Sequence, residues 1–301
     1  MINTVSEINC RLKTDPATFI AECDGEYRSK IKAVAAYISD NRHIRIISIA
    51  GPSGAGKTTT ANILCEMLET MGIDTLVVSL DNFYYSRDIV DVGKVDPESV
   101  EALNTELLHD CATELLEKGT ARLPVYDFKS GASHKDANPP NLNADGILIL
   151  EGIHGLNPVI TEALTKDRLL KLYISAYTPI KNDRDEVILT GRKLRLVRRS
   201  LRDRRFRNSD ILRTLSFWGG VVEAEDKFLY GFIRFADFHI HTMHAFEPAL
   251  YRDEFIAMIK ELDKTHPFYE YVSLIAEGLK EFTHIDESLI PENSLIREFI
   301  G

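Results

Sequence analysis

The sequence lacks the features that mark several specialised classes of protein. No apolar run approaches the roughly 18 residues that a membrane span needs, and the first residues, MINTVSEINCRLKTD, lack the apolar core of a signal peptide. The four cysteines are scattered without a CxxC pair, so neither a disulfide framework nor a zinc site is indicated. We therefore expect a cytoplasmic protein that has no membrane partner.

Positive charge is also scarce, except in one place. The formal net charge of the 301 residues is −10, which argues against general nucleic-acid binding. Residues 192–207, RKLRLVRRSLRDRRFR, hold nine Lys or Arg and one Asp, a net +8, so the rest of the chain sums to −18. Such a stretch fits the phosphates of a small nucleotide, a nucleic acid, or a merely solvated face.

Hydrophobic segments alternate with helical ones along most of the chain. Apolar runs at 45–50, 75–80, 147–152, 169–175 and 235–242 predict buried strands, and their alternation with helices predicts a mostly parallel sheet flanked by helices. Residues 121–135 predict a hairpin or an irregular excursion, and residues 15–40 predict a helix. We expect an α/β chain with an N-terminal helical extension, 1–43, and one domain, 44–301, that ends in helices from about 245.

The motif GPSGAGKT follows the first predicted strand and matches the P-loop pattern at every fixed position. Its glycines let backbone N–H groups turn toward phosphate oxygens, while Lys57 faces the β- and γ-phosphates and Thr58 can hold Mg²⁺. The following helix directs its positive end at the same anion. The predicted ATP-binding residues of this loop are Gly51, Pro52, Ser53, Gly54, Ala55, Gly56, Lys57, Thr58 and Thr59.

Two carboxylates distinguish a kinase from a GTPase switch. Neither DxxG nor NKxD occurs in the chain, whereas Asp81 follows the second predicted strand and Glu151 ends the third. Because the carboxyl ends of parallel strands meet at one edge of a sheet, both side chains can reach one crevice. A kinase needs such a base and such a magnesium-facing carboxylate.

The successive segments GPSGAGKT, VSLDNFYY, LPVYDF, ILEGIHGL and RLVRRSLRDRRFRNSD resemble the signatures of the uridine kinase/phosphoribulokinase family of P-loop kinases. The chain is most similar to the nucleoside kinase modules found attached to TGS-type domains, from about residue 44 to PENSLIREFIG at 291–301. The resemblance implies a P-loop NTPase fold with an Arg-rich lid at about 191–210. It also implies ATP and Mg²⁺ as cofactors and phosphorylation of a nucleoside 5′-hydroxyl.

The resemblance further implies a role for individual residues. Asp81 is the expected general base, and Lys57 and Arg202 are expected to act on the transferring phosphoryl group. Magnesium is expected at Thr58, Asp81 and Glu151, and a second contact to the donor phosphates at Arg207. The expected contacts to the acceptor are Asp81, Tyr84, Asp96, Tyr126 and Arg199.

The helical spacing of the basic stretch supports this interpretation. Leu194, Val197 and Leu201 recur on one side and predict an anchored helix face. Arg195, Arg199 and Arg202 recur on another side, from which several guanidinium groups can face one crevice. Arginine suits this task because its planar fork binds phosphate oxygens in pairs.

Three positions depart from the family pattern. Gly131, Ser209 and Phe217 stand where uridine kinases carry residues that help to read the pyrimidine. In addition, one residue that uridine kinases usually have between the positions of Asp96 and Pro97 is missing here. The alternatives therefore include a kinase of another small hydroxyl metabolite, of pantothenate or sugar-phosphate type, and a catalytically weak nucleotide-binding regulator. The sequence does not decide between ATP and GTP as the phosphate donor, nor whether the protein forms a homo-oligomer. We expect His239, His241, His244 and Trp218 to serve packing.

Overall fold

A parallel sheet of five strands organises the chain. The computed structural model describes residues 2–86, 95–127, 130–136, 138–164 and 168–301. The strands in this part of the chain are β1 (Ile46–Ala50), β2 (Thr75–Ser79), β3 (Pro124–Asp127), β4 (Ala132–Lys135), β5 (Ile147–Glu151), β6 (Leu169–Ser175), β7 (Ile180–Lys181), β8 (Val187–Leu189) and β9 (Phe238–His241). The main sheet has the order β2–β5–β1–β6–β9, with all neighbours parallel. The five predicted strands and the parallel sheet are confirmed.

Helices cover both faces of this sheet. In the described residues they are α1 (Val5–Thr14), α2 (Pro16–Asp40), α3 (Lys57–Thr70), α4 (Thr105–Lys118), α5 (Pro158–Thr161), α6 (Gly191–Arg207), α7 (Ile211–Phe228), α8 (Glu247–Lys260), α9 (Tyr269–Leu279) and α10 (Arg297–Ile300). One apolar cluster lies on one face, around α2, α3, α6 and α8, and a second lies on the other, around α4. None of the described helices is long and apolar enough to cross a membrane.

The N-terminal extension packs against the helix that follows the P-loop. The Asp15 side chain accepts a hydrogen bond from the Thr18 backbone N–H, and Pro16 occupies the first turn, so α2 begins with a cap and a preset φ. Ile31, Val34 and Ile38 are buried in the same apolar cluster as β1 and α3. The predicted helix at 15–40 is confirmed, and α1 precedes it.

The two shorter predictions also agree with the structure. Strands β3 and β4 pair antiparallel, which confirms the hairpin at 121–135 over its described residues; residues 128 and 129 lie outside them. The basic stretch forms α6, with Leu194, Val197 and Leu201 almost fully buried. It ends at Asn208, whose positive φ of 47° closes the helix in the left-handed conformation.

Candidate active site

The loop between β1 and α3 has the backbone that a phosphate cradle requires. Gly54 and Gly56 have φ values of +71° and +83°, which L side chains rarely adopt. The Ala55 N–H donates to the Pro52 carbonyl at 3.2 Å and tightens the turn. The Lys57 ammonium group lies 3.4 Å from the same carbonyl oxygen. Helix α3 begins directly after this loop, and the N–H groups of its first turn have no partner within the helix.

A buried ion pair holds the loop from the side of α6 and α7. Arg195 binds Glu225 with two nearly parallel hydrogen bonds of 2.6 and 2.8 Å, and it also donates to the Ser53 carbonyl at 2.9 Å. The Glu225 carboxylate in turn accepts from the Ser53 N–H at 2.9 Å. Arg195 is therefore committed to a buried carboxylate, and the expectation that it presents a free guanidinium group to the crevice is wrong.

A second buried pair supports the next residue of the loop. Arg198 and Glu247 are fully buried and form two hydrogen bonds of 2.6 and 2.7 Å. Arg198 also donates to the Gly54 carbonyl at 3.1 Å, and the Thr242 hydroxyl donates to the Ala55 carbonyl at 2.7 Å. Neither pair was predicted from the sequence, because nothing local to α6 reveals which carboxylate will reach each arginine.

Asp81 and Glu151 stand at the ends of neighbouring strands. Strand β2 pairs with β5 in a register that sets Ser79 opposite Glu151, and Asp81 follows two residues later. Burial and the nearby Glu151 carboxylate raise the pKa of Asp81 to about 6, and the opposing effect of Lys57 is smaller. These three side chains therefore share one electrostatic environment at the mouth of the loop.

Three guanidinium groups surround the carboxylate of Asp203, whose side chain is 6 % exposed. The distances to its carboxylate are 3.4 Å from Arg199, 3.0 Å from Arg202 and 3.5 Å from Arg207. Arg199 also donates to the Ser53 hydroxyl at 2.9 Å. Burial and the neighbouring Arg202 lower the pKa of Arg207. One carboxylate leaves two positive charges unbalanced beside the P-loop, an arrangement that suits a bound polyanion.

Aromatic side chains line the other side of Asp81. The ring centroids of Tyr84 and Tyr126 lie 5.7 Å apart with a tilt of 55°. The Tyr126 N–H donates to the Asn82 side chain, which joins the β3–β4 hairpin to the segment that carries Asp81. Burial, followed by the nearby Asp81 carboxylate, raises the pKa of Tyr84. These rings form a wall against which a planar ligand can pack.

Asp96 and Arg199 have different hydrogen-bond partners. Asp96 is exposed and pairs with Lys227 at 2.9 Å, whereas Arg199 contacts Ser53. Glu98 interacts electrostatically with Asp81 and with Arg199, and burial and Asp96 raise its pKa. Glu98 is thus a carboxylate of this crevice that the sequence analysis missed. Its position two residues after Asp96 was the available signal.

The departures from the family pattern have visible structural settings. Gly131 has a φ of +70°, and its N–H closes the hairpin turn by donating to the Asp127 carbonyl at 2.7 Å. A histidine at this position would be strained. The Phe217 side chain is 56 % exposed, while Trp218 is buried in the core, as expected. His241 and His244 are buried, and His244 Nε2 lies 2.9 Å from a carboxylate oxygen of Asp24.

The donor set is consistent with magnesium held jointly with phosphates. Within the described ranges no group of three or more His, Cys, Asp or Glu is arranged to hold a metal ion alone. Mg²⁺ commonly binds through one or two carboxylates together with substrate phosphates and water. Asp81 and Glu151 are close like charges that a divalent cation would neutralise, and Thr58 lies exposed in the first turn of α3.

The sequence is similar to those of known proteins. Residues 46–181 match the model of the Phosphoribulokinase / Uridine kinase family. The chain is 30 % identical over 193 residues to the uridine kinase of Schizosaccharomyces pombe, a match that covers 62 % of this chain and 36 % of that protein. It is 29 % identical over 182 residues to the uridine kinase of Clostridium novyi, with 59 % and 77 % covered.

The similarity to relatives is partial in length. The chain spans between 25 % and 38 % of the length of three curated relatives that it matches. Among solved structures, YFH7 from Saccharomyces cerevisiae, a candidate P-loop kinase with a circular permutation, superposes with a TM-score of 0.52. That match has 13 % identity and covers 72 % of this chain and 99 % of the other, so it concerns the fold alone.

Proposed function

We propose that this chain is a kinase of small hydroxyl compounds, because residues 46–181 match the model of the phosphoribulokinase/uridine kinase family. The donor is MgATP, and the favoured acceptor is the 5′-hydroxyl of a ribonucleoside. The observation that carries the proposal is the joint electrostatic environment of Asp81, Glu151 and Lys57 beside the P-loop.

The proposed reaction assigns separate tasks to these side chains. Asp81 takes the proton of the acceptor hydroxyl while the acceptor oxygen forms a bond to the γ-phosphorus and the bond to the leaving diphosphate breaks. A carboxylate with a pKa of about 6 is mostly ionised at neutral pH and accepts a proton more readily than an ordinary aspartate. Asp81 therefore has the charge state that a general base needs.

Positive side chains stabilise the charge that is transferred. Lys57 faces the β- and γ-phosphates, and Arg202 and Arg207 contribute the two charges that Asp203 leaves unbalanced. Thr58 and Glu151 would hold Mg²⁺, which supplies charge neutralisation on the β- and γ-phosphates when it is bound. The pairs formed by Arg195 and Arg198 keep the loop in shape, so these contacts are preorganised before the donor binds.

The choice of a nucleoside rests on the acceptor side of the crevice. The wall of Tyr84 and Tyr126 suits a planar base, and Glu98, next to the Asp96–Lys227 pair, offers an acceptor for ribose hydroxyls. Relatives named uridine kinase in two organisms support the same acceptor class. A kinase of another hydroxyl metabolite is the second candidate, since Gly131 leaves the pyrimidine-reading position without a side chain.

The test is ADP release from MgATP with a panel of acceptors: uridine, cytidine, adenosine, guanosine, pantothenate and a pentose phosphate. We expect acceptor-dependent release with the ribonucleosides and its near-complete loss in Lys57→Ala. Turnover of pantothenate or the pentose phosphate alone would replace the nucleoside assignment. Equal ADP release by Lys57→Ala and the unmodified protein would overturn the kinase mechanism itself.

A further inference from the structure

Residues 293–301, the C-terminal segment, lie against the P-loop and the first turn of α3. The Thr59 hydroxyl donates a hydrogen bond to the Glu298 carboxylate at 2.5 Å, across 239 residues of sequence. Leu295 is fully buried beside the loop, and a Cβ atom added at Gly56 would come within 2.6 Å of its side chain. The segment therefore lies close to the P-loop region at two positions, Gly56 and Thr59.

The C-terminal segment is anchored on both sides of this contact. Phe299 is buried beneath the Arg198 guanidinium group, which lies 4.8 Å from its ring centroid. The Ser294 hydroxyl donates to Asp24 of α2 at 2.8 Å, and Arg28 of the same helix donates to the Asn293 carbonyl at 2.6 Å. The N-terminal extension thus holds the segment in position from outside.

Thr59 lies where a change in geometry affects bound phosphate. The first N–H groups of a helix have no partner within the helix, and in a P-loop they bind phosphate oxygens. Thr59 belongs to that first turn, two residues after Lys57. Fixing its side chain restricts the turn from which these N–H groups point.

A carboxylate at this place requires compensation, because it lies close to an anion-binding site. Arg198 and Arg207 both interact electrostatically with Glu298. These two guanidinium groups, which also face Glu247 and Asp203, offset part of the Glu298 charge, so that its effect on a bound phosphate is reduced. This leaves the hydrogen bond to Thr59 as its principal contribution.

We propose that Glu298 is a positioning residue of the donor site, which holds the first turn of α3 through the Thr59 hydroxyl in the geometry that binds donor phosphates. The proposal rests on the proposed function for its donor, but it concerns binding and not the transfer step. It also assigns a task to the N-terminal extension, which supports the C-terminal segment through Asp24 and Arg28.

Binding of MgADP and of inorganic pyrophosphate with Mg²⁺, measured by titration calorimetry on the full chain, tests the proposal. Glu298→Ala should weaken both ligands on the order of 5- to 10-fold, which is the range expected for loss of one hydrogen bond of typical strength. Glu298→Gln, which keeps an acceptor oxygen, should recover most of that loss. The control is Glu292→Ala, an exposed position near the same segment, which should bind both ligands normally.

A double-mutant cycle separates positioning from charge. Thr59→Ala with Glu298→Ala should be no worse than the weaker single variant, because both changes remove the same contact. If Glu298→Ala and Glu298→Gln both bind more tightly than the unmodified protein, Glu298 acts by repulsion and the proposal fails. It fails as well if Glu298→Ala binds normally.

Two further variants keep the result decisive. If Glu298→Ala does not fold, Thr59→Val is compared with Thr59→Ser, which keeps the hydroxyl. The same 5- to 10-fold difference is expected, and equal binding would contradict the proposal. Lys57→Ala shows which inference fails: if it binds pyrophosphate normally, the proposed phosphate site is at fault and not the role of Glu298.

Discussion

The donor side and the acceptor side of the crevice are built in different ways. On the donor side, Arg195 and Arg198 are buried in two-bond pairs with carboxylates, and each pair also contacts the P-loop. On the acceptor side, Asp96 pairs with Lys227 at the surface. Breaking a buried pair leaves an uncompensated charge in a low-dielectric interior, whereas an exposed pair contributes little. We therefore infer that the fold holds the P-loop backbone firmly and leaves the proposed acceptor contacts loosely fixed.

The largest expected effect lies where the two sides meet. Asp81→Asn keeps the size of the side chain but removes its ability to accept a proton, so turnover should fall by about 10²–10⁴-fold. Binding of MgADP should change little, because the donor-side pairs stay intact. Steady-state rates and calorimetric titration of the same protein check both expectations. Turnover within a few-fold of normal would mean that another group serves as the base.

The difference in burial between the two sides predicts a difference in stability. Glu247→Ala should lower the free energy of unfolding by about 3–5 kcal/mol, because it leaves the fully buried Arg198 without its partner. Asp96→Ala, on the exposed pair, should leave the unfolding curve nearly unchanged. Urea denaturation of both variants gives the comparison. Similar losses would show that the two sides do not differ in the way proposed.

The pH dependence of turnover reports the titration of Asp81, which lies between the donor side and the acceptor side. Because the pKa of Asp81 is raised to about 6, its ionised fraction falls as pH drops through this value. We expect kcat/KM to decrease below about pH 6, approaching tenfold for each further pH unit. The control is Thr283→Ala, a change remote from the crevice, which should show the same pH profile as the unmodified protein. A profile that stays flat down to pH 5 would exclude Asp81 as the titrating base.

The raised pKa of Asp81 also predicts that the inactive variant Asp81→Asn is more stable than the unmodified protein. A folded-state pKa above the ordinary value of 3.8 means that the native protein binds this proton more tightly than the unfolded chain does, so stability decreases as pH rises from about 4 to 6. Asp81→Asn should therefore raise Tm at pH 7.5, on the order of a few degrees, and the gain should vanish near pH 4. A lower Tm for Asp81→Asn at pH 7.5 would be the opposite result.

The smallest effect is expected for exchange of the acceptor base. With Gly131 in place of a pyrimidine-reading side chain, uridine, cytidine and purine ribonucleosides should differ only modestly in kcat/KM. Removal of the 2′-hydroxyl should cost more, because it removes a hydrogen bond to a charged group, which contributes about 1.5–3 kcal/mol. The comparison of 2′-deoxyuridine with uridine and adenosine measures both. If the ratio of kcat/KM for uridine to that for adenosine exceeds the ratio for uridine to 2′-deoxyuridine, the acceptor side is not loosely specified.

Much of the framework could be predicted because its signals are local. Gly54, Gly56 and Lys57 occupy fixed spacings within eight residues, and their backbone geometry is a property of that short segment. The strands were recognisable from continuous apolar runs, and Asp81 and Glu151 could be assigned to one edge because parallel strands end together. The helical spacing of Leu194, Val197 and Leu201 likewise indicated the buried face of α6.

The sequence by itself determined the P-loop, the parallel sheet and the meeting of two carboxylates at its edge, since each depends on residue types at short spacings. Only the tertiary structure decided which arginines of α6 face the crevice. Glu225 lies 30 residues from Arg195, Glu247 lies 49 residues from Arg198, and Glu298 lies 239 residues from Thr59. Such pairs form because distant segments are packed together and a buried charge must find a partner, and no local pattern specifies which partner it will be.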